Sequence, residues 1–309
     1  VWDLLATGPR RGRQREVIAH AIGPIWEANH VWLILAIVLT FSCFPAVYAR
    51  LGTVLHIPLT LMLIGIVLRG SAFTFRTYDS QHDAVQRRWG RIFASASVIT
   101  PVLLGISIGA VASGRVGAEP GGSFMQQFVW SWLTPFGLGV GLLALTLFAF
   151  LAAVFLTLET RDRQLSDDFR LRALWSGVAV FVASGLVLLL SHEAAPLVRS
   201  GLIGSPWSVP LHLATGVAAI AVFATLWLRQ YRLARLAVGL QVSLIFWGWP
   251  LAQYPFLLPP TYTVENSAAA DGTLRLTLIV LAGGTLLLLP SLWYLFQIFK
   301  TVPADPGDR

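Results

Sequence analysis

Residues 134–158 read TPFGLGVGLLALTLFAFLAAVFLTL, 25 consecutive residues without a charge. About 20 apolar residues are needed for a helix to cross the hydrocarbon core of a bilayer. A helix also satisfies its backbone polar groups internally, as lipid demands. The stretch is therefore a predicted transmembrane helix, and the rest of the chain repeats the pattern. Of 309 residues, 56% are hydrophobic and 12% charged, with a mean hydropathy of +0.70. That composition excludes an ordinary soluble domain.

Working outward, eight windows of sufficient length can be placed: A 26–48, B 54–75, C 92–113, D 134–158, E 173–191, F 210–228, G 236–257 and H 274–299. The predicted fold is an all-α polytopic membrane bundle of eight transmembrane helices. It forms one integral-membrane domain, with a basic segment at 1–25, helices A to H over 26–299 and a tail at 300–309. Trp130, Trp132, Trp207, Trp227 and Trp293 fall near span ends, where amphipathic rings settle at headgroup level. Residues 125–133 are expected to lie along the interface.

Charge tests this layout. The segment before A holds Arg10, Arg11, Arg13 and Arg15, and the B–C connection holds Arg76, Arg87, Arg88 and Arg91. Arg161, Arg163, Arg170 and Arg172 lie between D and E, Arg229, Arg232 and Arg235 between F and G, and Lys300 and Arg309 in the tail. Together these are 17 of the 22 basic residues. The opposite connections hold Arg50, Arg115, Arg199 and Arg275, and Arg69 alone falls inside a span. Under the positive-inside rule both ends of the chain are expected in the cytoplasm, with an even number of spans.

Gly105 with Gly109, and Gly137 with Gly141, place small residues one turn apart, which lets helix backbones approach closely in lipid. LHIPL at 55–59 and PLHLA at 210–214 each open a helix from the outer side, four helices apart. The echo suggests two related four-helix halves about an axis along the membrane normal. Cys43, the one cysteine, lies in an apolar run and reads as a small hydrophobe.

Candidate chemistry is sparse. No phosphate-cradling glycine loop followed by Lys, no HExxH and no CxxC is present, which removes the common soluble-enzyme classes. The histidines are His20, His30, His56, His82, His192 and His212. His56 and His212 share a predicted face on different helices, so they read either as interfacial hydrogen-bonding groups or as a pair of haem ligands.

Residues 23–34, GPIWEANHVWLI, set Glu27, Asn29 and His30 between Trp26 and Trp32. An acidic group entering hydrocarbon is a functional candidate, and equally a residue favoured in the first turn of a helix. Arg69 sits well inside helix B. It reads as part of a hydrated polar track from the cytoplasm or as a side chain snorkelling to the headgroups. At about 1.5 Å of rise per residue, Glu27 and Arg69 are expected in the same half of the bundle, about 10 Å apart in depth.

IWEANHVWLI, then LRGSAFTFR, then LTPFGLGVG resemble subunit II of the cytochrome bd-type quinol oxidases. Trp26, Glu27, Ala28, Asn29, Val31, Trp32 and Leu33 match its tryptophan motif. Arg69, Phe73, Phe75 and Arg76 match its second motif, and Pro135, Phe136, Gly137 and Leu138 its third. The resemblance implies a subunit without haem of its own, paired with a subunit I that carries the b- and d-type haems and the quinol site. It implies oxidation of quinol, reduction of oxygen to water and protons drawn from the cytoplasm, in the bacterial inner membrane. Glu27 would inherit the family's acid on the proton path, with Asn29 and Arg69 as neighbours. Also implied are a structural quinone or lipid, small single-helix accessory subunits, contact with the quinol pool, no metal ligand in this chain and no nucleic acid.

Three departures stand out. The family's first helix is absent, VWDLLA resembles its tail, and a preceding segment is expected. Thr134 stands where the family has Asn, with His30 unusual at its position, and the D–E connection lacks the family's usual sequence. A secondary transporter and a b-type cytochrome using His56 and His212 are the competing readings.

Overall fold

The structure, a computed structural model, describes residues 1, 2, 5, 6, 10–78, 83–119 and 121–300, without the side chains of 20, 22–30, 76–78, 83–87, 296 and 298–300. Among the described residues seven helices are long and apolar enough to cross a membrane, or eight if one bent pair counts as a span. The elements are α1 (Arg11–Cys43), α2 (Pro45–Val54), α3 (His56–Tyr78), α4 (Asp83–Ala112), α5 (Phe124–Phe128), α6 (Pro135–Leu156) and α7 (Arg163–Ala194). They continue as α8 (Pro196–Gly204), α9 (Ser208–Trp227), α10 (Tyr231–Gln253), β1 (Phe256–Leu258), β2 (Tyr262–Thr263), α11 (Val264–Ser267) and α12 (Asp271–Lys300).

Helix A differs most from its prediction. It starts at Arg11, because RGRQREVIAHAI is rich in good helix formers, so the helix takes in most of the basic segment. Glu27 is consequently a mid-helix residue, which removes the first-turn explanation for it. Helix A also ends earlier, at Cys43, and the chain bends by 117° into α2. Pro45 cannot donate a backbone hydrogen bond and disfavours helical geometry at Phe44. Helix G stops at Gln253 for a similar reason, with Pro255 and then Pro259 and Pro260 following. A small antiparallel hairpin takes its place, pairing Phe256 with Thr263 and Leu258 with Tyr262.

The chain divides into two compact units. The first comprises residues 1–18 and 50–264. In it α3 packs on α4, α4 on α6, α6 on α7, and α9 on α10. Phe150, Ala153 and Val154 of α6, Val180 of α7, Val222 of α9 and Val238 of α10 form its buried core. The two glycine pairs face each other across α4 and α6. A Cβ on Gly105 would lie 2.6 Å from the Gly141 Cα, and one on Gly109 would lie 2.9 Å from the Gly137 Cα. No side chain fits there, so the backbones themselves make the contact.

The second unit comprises residues 19–49 and 265–309 and so contains most of α1 and all of α12. Within it the Ala269 N–H donates to the Cys43 carbonyl at 2.8 Å, at the bend. Phe41 and Tyr48 meet edge to face at 5.3 Å.

Of the tryptophans expected at the interface, Trp130, Trp227 and Trp293 are exposed. Trp132 is not: it is buried, and its indole donates to the Phe128 carbonyl at 2.6 Å. The preceding stretch forms α5, fixed by a capping box between Ser123 and Gln126.

Candidate functional site

On α3, Gly65, Arg69, Ala72 and Phe73 recur at helical spacing, and on α4 Phe93, Ala96 and Thr100 do the same. These stripes meet. The Phe73 and Phe93 rings lie 6.4 Å apart, and a Cβ on Gly65 would strike the Thr100 hydroxyl. Between these contacts the Arg69 guanidinium lies over the Phe93 ring, 5.8 Å from its centroid. A cation over an aromatic face is favourable, more so when desolvated. The Arg69 Nε is buried and finds no hydrogen-bond partner. Arg69 thus stays inside a span without a carboxylate among its described contacts.

Trp26, Glu27 and Asn29 lie on the interior of α1, in the second unit; their side chains, like those of His30 and Arg76, fall outside the described residues. Trp32 is 48% exposed. Phe75 stacks on Trp89 at 4.7 Å.

The third motif is explained by helix capping. Thr134 is the N-cap of α6 and Pro135 occupies its first turn. The Thr134 hydroxyl accepts from the Gly137 N–H at 2.9 Å. Asn performs the same task, so Thr in its place keeps the role. Phe136 is buried with Ala112, Ala195, Val198 and Ala252. Residues 105–109 read GISIG, the spacing of a nucleophile elbow. They lie inside α4, however, and Ser107 donates to the Leu103 carbonyl at 2.9 Å.

An ion cluster that sequence reasoning did not single out ties Trp2, Arg10 and the first turn of α1 to the start of α7. Arg10 forms a bidentate pair with Asp168, at 3.0 and 2.7 Å. Gln14, buried, donates to Asp168 at 2.9 Å and accepts from Arg172 at 2.8 Å. Trp2 donates to the Ala149 carbonyl at 2.7 Å, and its ring lies 5.6 Å from the Arg172 guanidinium. Arg13 pairs with Asp162 at 2.7 Å. Hydrogen bonding from the Gln164 N–H, followed by the charge of Arg13, holds the Asp162 carboxyl below its ordinary range. The hydrogen bond to Asp168 holds Arg10 more firmly protonated. Asp167 pairs with Arg229 at 3.1 Å and accepts from Tyr231 at 3.4 Å. Three connections that alternation assigns to one face therefore meet. The signal was present as the acids of RDRQLSDDFRLR, interleaved with arginine.

In the opposite set of connections arginines serve carbonyls. Arg50 donates to Val116 at 2.7 Å and also to Ala118, Arg115 to Trp130 at 2.8 Å and Arg199 to Leu188 at 2.5 Å. His56 Nδ1 lies 2.9 Å from the Thr53 carbonyl and His212 Nδ1 lies 2.6 Å from the Ser208 carbonyl. Both rings thus engage backbone about one turn back. No group of three or more His, Cys, Asp or Glu that could hold a metal ion occurs among the described residues.

Comparison with known proteins matches residues 1–299 to the family described as cytochrome bd terminal oxidase subunit II. Cytochrome bd ubiquinol oxidase subunit 2 of Bacillus subtilis is 24% identical over 302 residues, covering 94% of this chain and 86% of its own. Cytochrome bd-I ubiquinol oxidase subunit 2 of Escherichia coli is 25% identical over 158 residues, 49% of this chain and 40% of its own. A chain of the bd oxidase from Geobacillus thermodenitrificans superposes with a TM-score of 0.75 at 22% identity, covering 93% of this chain and 87% of that one. That last likeness speaks for the fold.

Proposed function

The chain belongs to the cytochrome bd terminal oxidase subunit II family, and from this we propose that it delivers cytoplasmic protons to a quinol oxidase whose redox centres lie in another chain. A subunit II of this kind is a multi-pass membrane protein within a quinol oxidase complex, an oxidoreductase, and has a subunit I as partner. In the proposal, haems b and d belong to that partner and supply the electron transfer from quinol to oxygen. This chain contributes side chains that take up and pass protons, acting as one integral-membrane domain in the bacterial inner membrane, with both of its ends on the cytoplasmic side.

Glu27 takes up the proton, Asn29 orients it by hydrogen bonding, and Arg69 lends the route a polar group inside its own span. The observation that carries this reading is Arg69 itself. A guanidinium retained within a membrane-crossing helix costs several kcal/mol, yet here its Nε is buried without a partner. Arg172, by contrast, is tied through Gln14 to the Asp168 carboxylate, whereas Arg69 has no ion pair among the described residues and lies only over the Phe93 ring. Trp26, Trp32, Phe73, Arg76, Pro135, Phe136 and Gly137 act as scaffold. The subunit also holds a structural quinone or lipid, small single-helix subunits complete the assembly, and the quinol pool supplies the partner.

Purification from the native membrane tests the assignment: the chain should come with a haem-bearing membrane partner, whereas a stand-alone transporter would come without one. Within the assembled complex, Glu27→Gln should slow quinol oxidation by about a hundredfold, the scale of a lost proton-transfer group, with haem spectra unchanged. Unaltered turnover would remove Glu27 from the mechanism.

A further inference from the structure

Helical threonines in this chain usually satisfy their own hydroxyl: Thr40 donates to Ala36, Thr146 to Leu143, Thr215 to Leu211 and Thr225 to Ala221. Thr100 does not. Its hydroxyl is buried and finds no hydrogen-bond partner, and it is turned towards α3, where only the absence of a side chain on Gly65 makes room for it. Arg69 is one helical turn from Gly65 on that same stripe, and residues so spaced stand about 5–6 Å apart. Its Nε is the second buried donor without a partner at this seam. Pro101 lies inside α4 and has no N–H, so the carbonyl of Ser97 lacks its usual helical donor. The Ser97 hydroxyl is occupied elsewhere, donating to Phe93 at 2.7 Å.

Three polar groups of complementary kind thus lie within about one helical turn of one another along the α3–α4 seam, inside two membrane spans: a donor at Arg69, a carbonyl at Ser97 and a hydroxyl at Thr100 that can do both. Buried waters bind where two to four such groups converge. An unmet polar group in hydrocarbon carries a penalty that water removes. We infer that this seam is an ordered-water site and that Thr100 is a positioning residue, its hydroxyl holding water against Arg69. The water site stands on geometry alone; its part in turnover rests on the proton-delivery reading given above.

A high-resolution cryo-electron microscopy map of the assembled complex tests the site. Water density is expected within about 3 Å of the Thr100 hydroxyl and of the Arg69 Nε. A Thr100 hydroxyl turned back onto the Ala96 carbonyl, with no density in the seam, would overturn it. For the positioning role, Thr100→Val, close to isosteric but without the hydroxyl, should slow quinol oxidation by about fivefold, the factor that one net hydrogen bond carries. It should also raise the solvent deuterium isotope effect, and Thr100→Ser should restore both. Wild-type rate and isotope effect in Thr100→Val would refute that role. If Glu27→Gln is silent while Thr100→Val is slow, the uptake point is wrongly assigned and the water site survives.

Discussion

Arg172 and Arg69 are both partly buried arginines lying over an aromatic ring, yet their surroundings differ in kind. Arg172 belongs to a lattice: Gln14 joins it to Asp168, Arg10 clamps Asp168 from the other side, and Trp2 and Phe169 cover the guanidinium. Arg69 has the Phe93 ring and a stripe of small residues. The first arrangement sits where α7 meets Arg10 and the first turn of α1, and it fixes a chain segment. The second lies two helical turns inside a span, over the Phe93 ring and with no ion pair among the described residues; each guanidinium keeps one buried nitrogen without a partner, so it is the missing carboxylate that separates them. A charge held inside a membrane span without a counter-charge is by default a candidate functional group.

The contrast can be broken in several ways. The largest effect is expected at Arg69: Arg69→Ala should depress turnover of the assembled complex far more than Arg76→Ala, by about tenfold or more if water leaves the seam. Equal and negligible effects of the two substitutions would make Arg69 a snorkelling side chain. Arg172→Ala should do the reverse. It leaves Gln14 and part of the Asp168 charge unmet, so the complex should lose about 1–3 kcal/mol of stability while turnover per assembled complex is preserved, as read by thermal unfolding beside an oxygen-uptake assay. Lost turnover at full stability would move Arg172 into the functional class.

The smallest effect concerns pH. Asp162 is ionised below the ordinary carboxylate range when folded. Its contribution is therefore fully present above the unfolded value of about 3.9 and is lost only as pH falls through the lower folded value. Hydrogen exchange across residues 10–18 should stay slow at mildly acidic pH and quicken below about pH 4. Asp162→Ala should quicken it at neutral pH too. An unchanged profile in that variant would separate Asp162 from the docking of this segment.

The spans were legible because lipid imposes one rule on them, a long apolar run, and α6 matches its predicted window closely. Their ends were less so, since hydropathy falls at the headgroups while the helices continue: α1, α4 and α7 all begin within charged sequence. Pro45 and Pro255 were visible as residues, but the bend and the hairpin they produce depend on which neighbours receive the freed backbone. Of the candidate site, Arg69 was readable as a lone charge in an apolar run, and the glycine pairs as small residues one turn apart. Thr100 was not, because a threonine in a span ordinarily bonds its own helix, and only the position of Gly65 opposite it reveals the exception. The Arg10–Asp168 clamp joins residues far apart in sequence and carries no local signature.

The central claim, that this chain moves protons for chemistry performed elsewhere, is tested most directly by timing proton uptake, with a pH indicator, as the reduced, assembled complex meets oxygen. In Glu27→Gln the uptake should lag well behind wild type while haem content and spectra match it. Uptake as fast as wild type in that variant would contradict the account.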